Sequence, residues 1–178
     1  LPIAIPRDGV GETEALERLR RVALATPSTA GPRFVNQLFA GRERVACIAE
    51  IVSAVLNNSM YTYKAAGPMV LVEREVIERM LAKAGFDGGD GMFTPGGSLS
   101  NLAAMIVARN ERVERAREHG LDGRACTMYV SGEGHYSIRK NASMIGIGRD
   151  NVRVVGADGR GRMRPDALAG AIERDLSQ

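Results

Sequence analysis

A change of pattern in the chain begins at Phe93-Thr-Pro-Gly-Gly-Ser-Leu-Ser-Asn-Leu102, where two glycines precede a long amphipathic helix predicted over residues 98–118. Backbone N–H groups at such a turn can approach an anion closely, and the helix dipole adds partial positive charge there. The glycine pair therefore indicates a phosphate cradle, although a plain tight turn before a helix looks the same. No Gly-Lys-Ser/Thr follows the glycines, which excludes a Walker loop. The GxGxxG spacing is also absent, which excludes the glycine-rich loop of dinucleotide-binding domains.

From this turn onward, short apolar strands alternate with helices. The pattern predicts strands over residues 125–130 and 152–155 with a short lead-in at 92–94, and helices over 98–118, 136–146 and 165–176. Such alternation is typical of an α/β layer. Two or three short strands are too few to cover several helices, so we expect an incomplete sheet that another chain or a missing segment completes.

The part of the chain before this layer is predicted to be largely helical. Apolar residues recur at helical spacing over residues 12–25, 42–57 and 69–84, and the polar segment 33–40 is typical of an ordered loop. We therefore divide the chain into a helical N-terminal arm, residues 1–60, and the first part of an α/β domain, residues 61–178.

A histidine follows the first predicted strand of the layer. In Ser131-Gly-Glu-Gly-His-Tyr-Ser137, His135 should emerge at the carboxyl end of that strand, where open α/β sheets bind ligands. A plain loop or helix-start role is the alternative. His119 lies in the charged segment 110–120 and is expected to be solvated. No Gly-x-Ser-x-Gly elbow supplies a nucleophile, so a catalytic triad is disfavoured.

The composition disfavours several classes of protein. Apolar residues make up 44% of the 178 residues, and 24 basic side chains nearly balance 21 acidic ones, so neither a disordered polyelectrolyte nor a nucleic-acid-binding protein is indicated. No apolar run reaches the roughly 18 residues of a membrane span, and no membrane association is expected. Cys47 and Cys126 lack further ligands at metal-binding spacing, so no metal site is expected, and a reducing cytoplasm is the predicted location.

Four segments in order along the chain carry a family resemblance. They are the segment 93–102, Gly132-Glu-Gly-His-Tyr-Ser-Ile-Arg-Lys140, Gly146-Ile-Gly148 and Asp158-Gly-Arg-Gly-Arg-Met163. The chain resembles the group II pyridoxal 5′-phosphate (PLP) amino-acid decarboxylases, and the upstream segments 32–38 and 61–68 resemble the branch with glutamate and cysteine-sulfinate decarboxylases. The resemblance implies part of the PLP-binding large domain of a PLP-dependent transferase-like fold (fold type I), preceded by the helical arm.

The resemblance also implies residues that hold the cofactor. The cofactor phosphate would be bound by Gly97, Ser98 and Leu99, with Asn101 nearby. His135 would stack on the pyridine ring and act in catalysis. A ring fixed in this way lets the Cα–carboxylate bond be held perpendicular to the π system, and that orientation selects the bond that breaks.

The substrate side of the site is implied by the two upstream segments. Residues of that loop and wall are Asn36, Gln37, Thr62 and Tyr63, and Gln37 would bond the substrate side chain. The alternative is that Asn36 and Gln37 only cap loop backbone. Lys64 stands where the acid-specific animal enzymes have Glu, which leaves the choice of substrate open.

Two groups of the family's chemistry are expected beyond the last residue of this sequence: the lysine that forms the Schiff base with the cofactor and the aspartate that pairs with the ring nitrogen. The resemblance thus implies part of a PLP-dependent L-amino-acid α-decarboxylase for an acidic or other polar amino acid. A complementary C-terminal polypeptide would carry the lysine, and two composite protomers would form a dimer. An aminotransferase-type relative and a non-catalytic binding or scaffolding subunit of the same fold are the alternatives.

Overall fold

The chain forms two compact units. The computed structural model describes residues 6–36, 38 and 41–177, and the units are Leu1–Val76 and Ile77–Gln178. The boundary between them lies within a helix, and the predicted division into residues 1–60 and 61–178 stays a prediction.

Helices make up the regular structure described in the first unit. They are α1 (Glu12–Ala25), α2 (Arg44–Leu56), α3 (Tyr63–Ala66) and the beginning of α4 (Met69–Lys83). Glu12 and Glu14 stand in the first turn of α1, where they complement the helix dipole, and the Glu43 carboxylate accepts a hydrogen bond from Ala46 N–H at the start of α2. The three helices predicted in this part of the sequence are therefore confirmed to within two residues at each end.

The second unit is an α/β layer. After the end of α4 come α5 (Gly97–Arg112), α6 (Ala116–His119), β1 (Met128–Ser131), α7 (Ser137–Met144), β2 (Val152–Val155) and α8 (Pro165–Leu176). The two strands pair in parallel, with Met128 opposite Val152 and Ser131 opposite Val155. Parallel strands need a crossover, and α7 supplies it. The predicted α/β class is confirmed, and the sheet described in this unit has two strands.

The hydrophobic core lies between this sheet and the helices α5 and α7. Its buried members are Met105, Ala142, Ile145, Ile147 and Val152, and partly buried side chains such as Met128 and Val130 pack against them. Full burial of a side chain of the size of Ile or Val contributes about 1.5–3 kcal/mol. The core therefore fixes α5 and α7 against the strand that leads to His135.

Three predicted elements differ from the structure. The strand predicted over residues 125–130 is shorter and begins later, since β1 spans Met128–Ser131. The helix predicted over residues 98–118 ends at Arg112 and resumes at Ala116, because Arg115 adopts a left-handed backbone conformation with φ of 56°. This break lets Val113 and Ala116 both be buried. The lead-in at 92–94 forms no strand in the described chain, since the Thr94 carbonyl accepts the Gly96 N–H in the turn before α5.

A polar cluster joins α8 to the sheet. Tyr129 O–H donates to Asp175 at 2.7 Å, and Arg153 Nε donates to the same carboxylate at 3.0 Å. These hydrogen bonds hold the pKa of Asp175 below its ordinary value, the bond from Tyr129 having the larger effect. Burial raises the pKa of Tyr129. The carboxylate is therefore the acceptor that links both strands to α8.

Further features bear on the class of protein. Among the described residues, no helix combines the length and apolar character that crossing a bilayer requires, and no group of metal-ligating side chains is found. Cys47 and Cys126 are both unpaired. The cytoplasmic location stays a prediction.

Replacing Asp175 tests the polar cluster. Asp175→Asn removes the charge to which Tyr129 and Arg153 donate, so we expect faster amide hydrogen exchange in α8 and β1 at neutral pH. Glu173→Gln, on the exposed side of the same helix, is the matched control and should leave the exchange unchanged. Equal exchange in the Asp175→Asn variant and the parent protein would show that the cluster does not hold α8.

The same variant carries a pH dependence. Because the folded-state pKa of Asp175 is depressed, its stabilising effect is present above the ordinary value of 3.8 and is lost as the pH falls through the lower folded-state value. The difference in urea midpoint between the parent protein and Asp175→Asn should therefore be smaller at about pH 3 than at about pH 7.

Candidate functional site

The turn before α5 is shaped by its first glycine. Gly96 has φ of 114° and ψ of 154°, a conformation that residues with a Cβ rarely adopt. Its carbonyl accepts hydrogen bonds from Leu99 N–H at 3.0 Å and from the Thr94 hydroxyl at 3.2 Å. The Thr94 and Ser100 hydroxyls are 2.6 Å apart. The turn is thus fixed by its own hydrogen bonds, and Leu99 N–H already has an acceptor within it.

Two backbone donors at this turn point to a site for an anion. Within the described residues, the N–H groups of Gly97 and Ser98 have no hydrogen-bond acceptor. A Cβ at Gly97 would meet no heavy atom within 4 Å, so the space above this residue is open. Because the helix dipole places partial positive charge here, the two N–H groups suit a phosphate group. The predicted cradle thus has two available donors.

A buried amide supports the cradle from α7. Asn141 Nδ2 donates to the carbonyl oxygen of Ser98 at 2.9 Å, and Asn141 is only 3% exposed. The bond fixes the peptide that follows Ser98 and engages the carbonyl oxygen of Ser98, not its N–H. The cradle is therefore held by α7 as well as by its own turn.

His135 lies after β1, as predicted, on a loop that turns back sharply. A Cβ at Gly134 would collide with the Val130 side chain and lie 2.9 Å from the Ser131 carbonyl oxygen, so only glycine fits there. The His135 side chain is exposed, and its ring centroid lies 4.3 Å from that of Tyr136. The loop thus presents the imidazole at the carboxyl end of the strand, where ligands of open α/β sheets bind.

A hydrogen-bond network joins His135 to the helix that begins at the cradle. The Ser137 hydroxyl lies 2.8 Å from His135 Nδ1, and Asn101 Nδ2 donates to the same hydroxyl at 2.8 Å. Ser137 is fully buried. The cradle on α5 and the imidazole after β1 therefore belong to one polar network, and the structure brings Gly97, Ser98, Asn101 and His135 together in one unit.

Sequence reasoning missed Ser137 and Asn141. They stand at positions i and i+4 of the predicted helix over residues 136–146, so both lie on one helix face. Polar residues at helical spacing on an otherwise apolar face were the available signal.

The remaining predicted residues lie in the first unit. The side chain of Asn36 accepts a hydrogen bond from Leu38 N–H at 3.1 Å, which is the loop-capping alternative. Thr62 precedes α3, and Tyr63 begins it with an exposed side chain. Gln37 lies outside the described residues. Their role at the substrate stays a prediction.

An apolar cavity adjoins the cradle. Its volume is about 460 Å³, and Gly96, Gly97 and Ser100 are among the residues that line it. The lining also includes the apolar side chains of Met80, Leu81, Phe86 and Phe93. The cradle thus borders an apolar wall from the second half of α4 and the loop after it.

Comparison with known proteins gives consistent matches. The pyridoxal-dependent decarboxylase conserved domain matches residues 2–178. Cysteine sulfinic acid decarboxylase from Mus musculus is 43% identical over 169 residues, which cover 94% of this chain and 34% of that protein. An acidic amino acid decarboxylase from Homo sapiens is 42% identical over 154 residues, which cover 86% of this chain and 30% of that protein.

Solved structures agree with these sequence matches. The crystal structure of mouse CSAD in apo form superposes with a TM-score of 0.91 at 41% identity, covering 98% of this chain and 37% of that chain. The chain therefore spans about a third of the length of the relatives it matches.

Replacing Asn141 tests the support of the cradle. Asn141→Asp sets a carboxylate oxygen against the Ser98 carbonyl oxygen in place of the Nδ2 donor, at a residue that is 3% exposed, so two acceptors face each other at a cost of about 1–3 kcal/mol. We expect a lower urea midpoint and faster exchange of the α5 N-terminal amides. Asn58→Asp adds the same charge on an exposed loop and is the matched control. Equal stability of the two variants would contradict the role of Asn141.

Proposed function

The chain belongs to the pyridoxal-dependent decarboxylase family, and we propose that it forms the part of an L-amino-acid α-decarboxylase that holds the phosphate and the ring of PLP. The observation that carries the proposal is the network through Ser137, which links the helix of the phosphate cradle to His135. In this proposal, both ends of the cofactor are held by one compact unit.

The residues of the cradle fit a phosphate group. Two N–H donors without acceptors, an open space above Gly97 and the positive end of a 16-residue helix offer charge and hydrogen bonds to a phosphate. Leu99 contributes less as a donor in this proposal, because its N–H is directed to Gly96. Gly97 and Ser98 are therefore the proposed phosphate ligands, supported by Asn101 and Asn141.

His135 is the proposed group at the cofactor ring. When bound, PLP accepts the electron pair that remains on Cα as CO₂ leaves. The imidazole would restrict the ring to one plane, and its own orientation is restricted by the hydrogen bonds to Ser137. A fixed orientation determines which substrate bond is aligned for cleavage. His135 therefore acts by contact, and Ser137 acts by holding it.

The substrate is proposed to be an acidic amino acid. Two of the relatives have names that specify cysteine sulfinic acid and acidic amino acids as substrates. Asn36, Gln37, Thr62 and Tyr63 remain the proposed substrate-side residues.

The rest of the active site is proposed to lie on a complementary C-terminal part, either a separate polypeptide or a further segment. It would supply the Schiff-base lysine and the aspartate at the ring nitrogen. Support comes from two observations. The sheet described has two strands, and the apolar side chains of Ile172 and Leu176 on α8 are 37% and 82% exposed, so further structure could cover them. Two complete protomers are proposed to form a dimer.

Assay of the complete protein tests the function. With PLP and cysteine sulfinate, glutamate or aspartate, we expect release of CO₂ and formation of the corresponding amine. Formation of an oxo acid without CO₂ would favour the aminotransferase alternative. Binding of PLP with no turnover of any amino acid would favour the non-catalytic subunit.

Replacing His135 tests its place at the ring. His135→Ala in the complete protein should lower kcat by about tenfold or more, while PLP affinity changes by less than about threefold because phosphate contacts remain. His119→Ala is the matched control, since His119 is the exposed last residue of α6. Unchanged kcat in the His135→Ala variant would remove His135 from the site.

Replacing Gly97 tests the phosphate cradle. Gly97→Val should raise the Kd for PLP by about tenfold or more, because the side chain would fill the open space above the two N–H groups. Folding should be preserved, since a Cβ there contacts nothing within 4 Å. Gly159→Val, at another open glycine, is the control. Equal Kd values for the two variants would identify the glycine pair as a plain turn.

A further inference from the structure

Three hydrogen bonds around Ser137 define the direction of every proton in the network. The Asn101 side-chain amide can only donate through Nδ2, so the Ser137 oxygen accepts that bond. Ser137 N–H donates to His135 Nδ1 at 3.3 Å, so this ring nitrogen is an acceptor. Among the described residues, the acceptor that remains for the Ser137 hydroxyl proton is the same Nδ1 at 2.8 Å.

The consequence concerns the tautomer of the imidazole. A ring nitrogen that accepts hydrogen bonds carries no proton, so the proton of the neutral ring stays on Nε2. Ser137 is fully buried, so its hydroxyl is shielded from bulk solvent, whereas the His135 side chain is exposed. The network therefore presents one ring donor, Nε2–H, on the side that faces away from Ser137.

We propose that Asn101 and Ser137 are positioning residues that select the Nε2–H tautomer of His135 and fix the plane of its ring. The catalytic consequence rests on the proposed function: a bound ligand meets an imidazole of one tautomer and one orientation. Asn101 also lies one turn after the N–H groups of the cradle, so the same helix start orients the phosphate site and the imidazole.

Nitrogen NMR of the complete protein tests the tautomer without reference to activity. With ¹⁵N-labelled histidine and PLP removed, the His135 signals are those lost in the His135→Gln variant. We expect a protonated Nε2 and an unprotonated Nδ1. In Asn101→Asp the carboxylate accepts the Ser137 hydroxyl proton, so the Ser137 oxygen becomes an acceptor for the ring at 2.8 Å; this contact should outweigh the longer one with Ser137 N–H at 3.3 Å and move the ring proton to Nδ1.

Ser137→Ala is the second variant, and it keeps the volume of the buried site close to that of the parent protein. Without the hydroxyl, only the longer bond from the backbone N–H of residue 137, at 3.3 Å, still favours an unprotonated Nδ1, so the Nδ1–H tautomer should become populated beside the Nε2–H tautomer. Ser143→Ala, on an exposed position of α7, is the matched control and should leave the His135 signals unchanged. A parent protein with the proton on Nδ1, or an unaltered tautomer in both network variants, would overturn the proposal.

Kinetics separate this inference from the proposed function. In Ser137→Ala we expect kcat to fall by about fivefold or more with KM and PLP affinity little changed, as for a positioning residue. Ser137→Ala is the variant chosen for the kinetics, because the carboxylate that Asn101→Asp introduces near the cradle would also repel the phosphate of PLP. A parent protein that shows the Nε2–H tautomer but no decarboxylation would overturn the proposed function alone. Active enzyme with unchanged kcat in Ser137→Ala would overturn the positioning role alone.

Discussion

The buried hydroxyl of Ser137 is the interaction on which the candidate site depends. It receives a hydrogen bond from Asn101 on α5 and lies 2.8 Å from Nδ1 of His135 on the loop after β1, so it connects two residues that are 34 positions apart in the sequence. A buried hydroxyl is costly unless its bonds are satisfied, and here both are. Loss of either bond would weaken the restraint on the imidazole, which would then depend on the bond from Ser137 N–H to Nδ1. Geometry at His135 is therefore decided inside the core.

The core itself depends on the parallel pairing of β1 with β2. Met128 and Val130 face the helices α5 and α7, whereas Tyr129 bonds Asp175 on α8, as the two-residue period of a strand requires. Because α5 and α7 are packed on the same face, the cradle at one helix start and Ser137 at the other come close together. The sheet thus positions the site without contributing a side chain that binds the ligand.

Much of this arrangement was predictable from local patterns. Helical spacing of apolar residues predicted α1, α4 and α8 closely, and the glycine pair predicted the turn before α5. The position of His135 directly after a predicted strand placed it at the carboxyl end of that strand. The break at Arg115 was missed, since a left-handed residue leaves no periodic signal. Ser137 and Asn141 were missed because their partners, 36 and 43 residues away, are fixed only by tertiary packing. Local patterns predict elements, whereas buried polar partners follow from how the elements pack.

The family membership and the geometry of the second unit support one central claim: PLP is held by the helix start at Gly97 and Ser98 and by His135. The most direct measurement is a crystal structure of the complete protein with PLP bound. The account predicts phosphate oxygens within hydrogen-bond distance of the N–H groups of Gly97 and Ser98, and the pyridine ring against the His135 imidazole. A phosphate bound at any other helix start, or a ring that does not contact His135, would contradict it.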